Sequence, residues 1–169
     1  HIALQGAMMQ MLSHGLISAG LFMCIGVIYS RTKSRMIGEQ SGIVQVMPLF
    51  SALMMFFLLS NSGLPGTSGF VGEFMVLMAS ADENFLYAIL ASLTLVLAAS
   101  YSLWLGKRVL FGEISGSHTS SMKSMNVYEF WPLFILAIFI IIFGLKPGLL
   151  LHISDQSSLN MISIINGRY

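Results

Sequence analysis

The chain has 169 residues, 56% hydrophobic and only 9% charged, with a net charge of +1 at neutral pH. A soluble domain carries about a quarter charged residues, so this composition excludes a globule coated in polar surface and predicts an integral membrane protein. The small net charge, with no Lys/Arg-rich run, excludes a nucleic-acid surface, and a single cysteine, Cys24, excludes an internal disulfide or a multi-cysteine metal cage.

Four hydrophobic stretches follow one another, and an all-α fold of four transmembrane helices is expected, the second discontinuous. The first stretch covers residues 6–29 and ends at "SRTKSR". The sequence starts at His1, already close to apolar sequence and without a basic n-region or cleavage site, so no signal peptide is expected. A piece of a longer protein, or a processed product, is the expectation instead. His14 lies about 12 Å into this span by helical rise. Gly6, Gln10, His14 and Ser18 recur every four residues and form a polar stripe. Histidine titrates near neutrality through two ring nitrogens and can pass protons along a hydrogen-bonded file. Alternatively, it ties two helices together.

The second stretch, residues 44–80, is too long for one straight span. A continuous helix would reach about 55 Å, against a hydrocarbon core of about 30 Å. It contains "SGLPGTSGFVGEFM", a break near residues 62–69. Pro65 cannot complete a helical ladder, and Gly63, Gly66 and Gly69 permit turns closed to other residues. Residues 70–80 alone would make about 16 Å of helix, too short to cross, so one broken span is expected. Irregular backbone survives in a bilayer only inside protein or along a wet cavity, and broken spans in transporters present helix ends to ions or substrates. The bland alternative is a kink satisfied by a neighbouring helix.

Glu73 sits three or four residues into the second half-helix. Desolvation opposes its anion by several kcal/mol, more than the roughly 0.3–1 kcal/mol by which a helix N-terminus favours it. A carboxyl so held is suited to accept and release protons, and ionisable groups inside spans are functional by default. A plain capping carboxylate is the alternative.

The third stretch covers residues 85–106, after the acidic "ADEN", and the fourth residues 130–151, after a polar loop over 107–129. Six of the eight basic residues, Arg31, Lys33, Arg35, Lys107, Arg108 and Lys123, fall in the loops after the first and third spans. The positive-inside rule then puts those loops inside and both chain ends outside. Arg31, Lys33, Arg35, Lys107 and Arg108 read as interface anchors, Lys146 as a snorkelling side chain, and Trp104 and Trp131 as belt aromatics. Residues 152–169 form a weakly amphipathic tail, expected at the surface. No phosphate-binding loop, Ser-His-Asp arrangement or metal-ligand spacing is present, so no cofactor is expected in this chain.

"QGAMMQMLSHGLISAGLFMCIGVIYSR", "LPGTSGFVGEFM" and "YSLWLGKRVLFGE" together resemble the C-terminal part of chain 4 of proton-pumping NADH:quinone oxidoreductase (respiratory complex I), one of the antiporter-like membrane subunits. The resemblance covers nearly all of residues 2–150. It implies that the four spans correspond to the last four of fourteen. Sister chains 2 and 5 typically carry lysine where Glu73 stands, which favours chain 4. By resemblance, Glu73 is the carboxylate that ends a horizontal proton path and serves the outward exit, and His14 is the relay leading to it. The family's first ten spans, with their lysines and a second key glutamate, have no counterpart here. The chain is therefore expected to dock onto the remaining N-terminal part of the same subunit, a separate chain or an unrecorded portion, beside subunits 2 and 5. NADH, flavin, iron–sulfur clusters and quinone are expected in other subunits, so the chain belongs to an enzyme without doing redox chemistry itself. The mitochondrial inner membrane is the expected location, with a bacterial plasma membrane as the alternative. Rival readings are a subunit of a multisubunit cation/proton antiporter or membrane-bound hydrogenase, and a non-catalytic staple of the membrane arm.

Overall fold

The computed structural model describes residues 1–114, 122–165 and 167. Residues 115–121 of the expected polar loop and 166, 168 and 169 of the expected tail lie outside them. The described residues form helices and connecting segments, with no strand among them. In chain order the helices are α1 (Ile2–Thr32), a 3-10 turn (Ile37–Glu39), α2 (Ile43–Val46), α3 (Pro48–Asn61), α4 (Ser68–Glu83), α5 (Phe85–Val109), α6 (Val127–Leu145) and α7 (Gly148–Ile165). Three of them, α1, α5 and α6, are long and apolar enough to cross a membrane.

The axis of the bundle is α1. Its 31 residues extend about 46 Å, and one stripe of it is buried: Gly6, Met9, Ser13, Ile17, Gly20, Cys24 and Val27. Spacings of three and four keep these residues on one face. Several are small, which lets neighbouring backbones approach, as is usual where helices pack in lipid. A Cβ added at Gly20 would run into the Phe57 ring, and one at Gly6 would lie 2.8 Å from Met75 Cβ.

The expected second stretch is divided more finely. Pro48 starts α3 at a position where its missing N–H costs nothing, so residues 43–46 form a separate turn of helix. Next, α3 and α4 are 14 and 16 residues long, about 21 and 24 Å, and neither matches a 30 Å core. Their contacts show how they combine. Along α1 the partners run backwards: Met75 against Gly6, Gly72 against Gln10, Gly69 against Ile17, then Phe57 against Gly20. On the other flank, Leu58 meets Gly106 and Asn61 meets Ser102, while a Cβ on Gly63 would lie 3.7 Å from Leu95. Both halves therefore lie end to end, antiparallel to α1 and α5, as one interrupted rod.

The fourth hydrophobic stretch also differs from its expected limits. Asn126 caps α6 through a capping box with Glu129, and the helix ends at Leu145, before Pro147 removes a donor. After the proline the chain becomes α7, a helix that takes in most of the expected amphipathic tail. It packs on the N-terminal end of α1, where the Gln5 amide donates to Asp155 Oδ1 at 2.8 Å and His1 Nε2 lies 3.0 Å from the same oxygen. Leu133, Ala137 and Ile140 face the core from α6.

Arg31, Arg35, Arg108 and Lys123 gather at the opposite end of α1. The Arg31 guanidinium donates to both carboxylate oxygens of Glu129, at 2.9 and 2.7 Å, and to the carbonyls of Lys123 and Ser124. Arg35 lies over the Tyr29 ring and Arg108 over Trp104. Segment 41–46 is tied to the end of α5 by the Val44 N–H to Leu110 carbonyl bond and the Gln45 amide to Gly112 carbonyl bond.

Candidate functional site

The interruption closes α3 with a left-handed turn. Gly63 has φ 75°, its N–H donates to Ser60, and the Leu64 N–H reaches back to the Leu59 carbonyl at 3.1 Å. This is a Schellman termination, which needs a residue free to adopt positive φ. Gly66 has φ 92°, and Thr67 donates both its N–H and its hydroxyl to the Leu64 carbonyl. The Thr67 hydroxyl therefore does not cap α4. Gly69 has a different task from the one its turn-forming chemistry suggests. It is helical and buried in the first turn of α4, where a Cβ would lie 3.0 Å from the Ser60 carbonyl and 3.1 Å from Ile17. Leu64 and Pro65 are exposed, while Thr67, Ser68 and Gly69 are buried. Beside the break, α6 comes so close that a Cβ on Gly144 would run into the Gly66 carbonyl.

Glu73, one turn into α4, points its carboxyl into the space between α1 and the break. Its Oε1 accepts from Gln10 Nε2 at 3.1 Å. Its Oε2 is the nearest atom to where a Gly63 side chain would begin, with Leu95 beyond it. Gly72 makes the arrangement possible, since a Cβ there would sit 2.7 Å from Gln10 Oε1 and 2.8 Å from the Gln10 backbone nitrogen.

Four buried side-chain polar atoms lack a hydrogen-bond partner among the described residues: Gln10 Oε1, Ser13 Oγ, Ser68 Oγ and Glu73 Oε2. All four lie on α1 or α4. An unmet buried polar atom costs about 1–3 kcal/mol, so four on one seam mark a polar strip in an otherwise apolar bundle. Ser13 and Ser68 are both 0% exposed.

The expected polar stripe divides. Residues four apart advance about 400° around a helix, so a strict four-residue repeat drifts roughly 40° per step. Gly6 is buried against α4, Gln10 is half-buried beside Glu73, and His14 has rotated to the exposed surface. His14 shares an open groove with Ala7, Gln10, Met11 and Val76, and among the described residues its ring makes no hydrogen bond. The Ser18 hydroxyl donates to the His14 carbonyl at 2.6 Å, within its own helix. Gln10 and Glu73 are thus brought together, and His14 stands about one turn from Gln10. Ser13 and Ser68 were not singled out from sequence; the signal that finds Ser13 is the seven-residue spacing of the small residues Gly6, Ser13 and Gly20, two turns apart on one helix face. On the far side of the break, the Asn61 amide donates to Tyr101 and Ser102 at 3.0 Å each. Among the described residues no group of three or more His, Cys, Asp or Glu could hold a metal ion.

The transmembrane family described as NADH:quinone oxidoreductase/Mrp antiporter matches residues 1–99. The chain belongs to this family. Among its relatives, NADH-ubiquinone oxidoreductase chain 4 of Chondrus crispus is 43% identical over 163 residues, covering 96% of this chain and 33% of that protein. A chain of respiratory complex I from Thermus thermophilus, solved with bound NADH, has a TM-score of 0.78 and 30% identity, covering 85% of this chain and 30% of that one. A chain of the Mrp complex from Dietzia sp. DQ12-45-1b has a TM-score of 0.82 at 20% identity, covering 95% of this chain and 38% of that one. This last likeness is one of fold. The chain spans about a third of the length of the curated relative it matches.

Proposed function

We propose that this antiporter-family chain works in the proton-translocating membrane arm of an NADH:quinone oxidoreductase, where it supplies the distal, outward-exit part of a proton path. Glu73 is the terminal carboxylate and His14 a relay leading to it. The observation that carries this reading is a carboxyl on a broken helix, with one oxygen hydrogen-bonded to Gln10 and the other buried without a partner. An acid in that setting gains little from standing as a fixed cap, because the first-turn N–H groups of α4 lie a turn away from it.

In this reading α3, the break and α4 cross together as one discontinuous span, making four spans in all. The cluster of Arg31, Arg35, Lys107 and Arg108 marks the inner face, and the N-terminal end of α1, with α7, lies outward. Glu73, level with Gln10, then stands about 30 Å from the basic end by helical rise, close to the outer boundary of the hydrocarbon core. Redox chemistry elsewhere in the complex would move charge near this carboxyl. A unit charge brought to about 8 Å at an effective dielectric of about 20 changes its energy by about 2 kcal/mol, altering the ratio of its two protonation states about thirtyfold. His14 faces the same groove as Gln10, so a proton handed from it reaches Glu73 along Gln10's flank rather than by direct contact.

The chain docks, in this proposal, onto the rest of its own subunit and lies beside antiporter-like subunits 2 and 5 in a mitochondrial inner membrane or bacterial plasma membrane. NADH, flavin, iron–sulfur clusters and quinone belong to other subunits. The test is Glu73→Gln in the assembled complex, with protons translocated per NADH oxidised as the readout. A fall to a small fraction of the wild-type ratio is expected, and a wild-type ratio would overturn the assignment. The second reading, a subunit of a multisubunit cation/proton antiporter, draws on the shared family and the fold likeness to the Mrp complex. NADH:quinone oxidoreductase activity in the purified assembly separates the two, being present only in the first.

A further inference from the structure

Among the described residues, Gln10 is the side chain that hydrogen-bonds the Glu73 carboxyl. Its Nε2 donates to Glu73 Oε1 at 3.1 Å, while its own Oε1, on the other arm of the amide, is buried without a partner. Both side chains are half-buried, and no ion pair among the described residues includes Glu73. Of the elements around the pair, α1 offers His14, a turn away from Gln10, and the break and α5 present Gly63 and Leu95.

A neutral amide suits a carboxyl that changes charge. A lysine or arginine supplies donors alone and favours the anion, and a leucine supplies nothing to either form. An amide carries a donor and an acceptor on one carbon. A half-turn about the last side-chain bond, a torsion with a broad and roughly two-fold profile, exchanges their places. The ionised carboxylate can only accept, and Nε2 faces it here. The protonated acid has an O–H to give, and the unpartnered Oε1 is the acceptor on that same amide.

The packing leaves room for the half-turn. Gln10 Oε1 rests against Gly72, where a Cβ would lie 2.7 Å from it, so the missing side chain clears one flank. The other flank opens on the groove of about 490 Å3 that Gln10 shares with Ala7, Met11, His14 and Val76. The Gln10 backbone is held by the same close approach, its nitrogen 2.8 Å and its Cα 2.9 Å from that Cβ position, so the amide turns on a fixed stem.

We propose that Gln10 is a positioning residue with two settings: its amide donates from Nε2 to the ionised Glu73 carboxylate, and turns over to accept at Oε1 from the protonated acid. This rests on the reading of Glu73 as a proton carrier and goes beyond it, by naming the group that holds the carboxyl in both states. The proton taken up stays on Glu73, and Gln10 exchanges hydrogen bonds without making or breaking a covalent bond. Each protonation state keeps one bond to α1, so the carboxyl stays beside the break throughout the cycle. Gly72 is part of the device, because a side chain there would occupy the space in which the amide turns.

The test uses the assembled complex containing this chain and two readouts. The first is infrared difference spectroscopy as the pH is varied, with the Glu73 acid band identified by its loss in Glu73→Gln and the Gln10 amide carbonyl band by its loss in Gln10→Met. The second is protons translocated per NADH. As the Glu73 acid band grows, the Gln10 carbonyl band is expected to move to lower wavenumber with the same midpoint, a shift that a purely structural glutamine would not show. In Gln10→Met the Glu73 acid band is expected at higher wavenumber, as for an acid without a partner, and the pumping ratio is expected to fall while NADH oxidation continues. If Gln10→Met fails to assemble, Gln10→Asn, whose amide falls one methylene short of the carboxyl, carries the same readouts. A Gln10 band that stays in place while the Glu73 band grows, with pumping lost in Glu73→Gln, overturns the turning amide and leaves the assignment of Glu73 standing. A Gln10 band that follows the Glu73 band, with Glu73→Gln pumping normally, supports the turning amide and overturns the assignment.

Discussion

Replacing Arg31 with methionine tests how the basic end of the bundle is held. The guanidinium donates two bonds to Glu129 and one each to the Lys123 and Ser124 carbonyls, the latter at 2.9 and 3.1 Å. The side chains of Arg31 and Glu129 are 10% and 25% exposed. Exposed ion pairs contribute about 0–1 kcal/mol, and removing one partner of a buried pair costs about 3–5 kcal/mol. This pair is largely desolvated yet borders an open pocket lined by Ser30, Met122 and Asn126, so an intermediate cost of about 2 kcal/mol is expected. The loss falls on the first turn of α6 and the segment before it. Hydrogen exchange in the assembled complex reads it locally. The Glu129 and Phe130 N–H groups, both bonded to the Asn126 carbonyl, should exchange about thirtyfold faster in Arg31→Met, the equivalent of about 2 kcal/mol. The middle of α1 should keep its protection. An acceleration below about threefold would mean that the residue serves only as a membrane anchor.

Four further substitutions probe the break and its packing. Gly144→Ala should destabilise the complex by about 1–3 kcal/mol, because its Cβ meets backbone at Gly66 and Thr67 that cannot rotate away. Gly15→Ala, which meets nothing within 4 Å, should instead be neutral or stabilising by about 0.5–1 kcal/mol; equal thermal stabilities for the two variants would contradict this packing. Gly63→Ala combines a positive φ of 75° with collision against Glu73 Oε2, whereas Gly66→Ala has φ 92° and open space. Both should lose about 1–2 kcal/mol of backbone energy, but only Gly63→Ala should also lower the pumping ratio, and a matching loss in Gly66→Ala would disconnect the effect from the carboxyl.

The elements of this fold were largely legible because their causes are local. Apolar runs of helix length, Pro65 beside Gly63 and Gly66, and the asymmetric basic residues each act through neighbours a few positions away. The capping box at Asn126 and Glu129 and the stop before Pro147 are equally local, and the sequence holds both signals. The pairings were harder to read. Arg31 carries the features of an interface anchor in any loop, and only the return of α6 beside it, 98 residues later, makes it a clamp. Likewise, nothing in the pattern of residues 152–165 shows that α1 supplies Gln5 and His1 as partners for Asp155.

Composition and short-range pattern alone determined that this chain is a bundle of apolar helices with one interrupted rod and an acid just beyond the interruption. Backbone conformation depends on sterics within a few residues, and insertion depends on summed hydropathy, so neither needs the rest of the molecule. Tertiary structure decided which polar atoms meet. A helix turns by about 100° per residue, so only the docking of α4 onto α1 selects Gln10 and Ser13 for the buried seam and sends His14, one position further on than Ser13, to the outer surface.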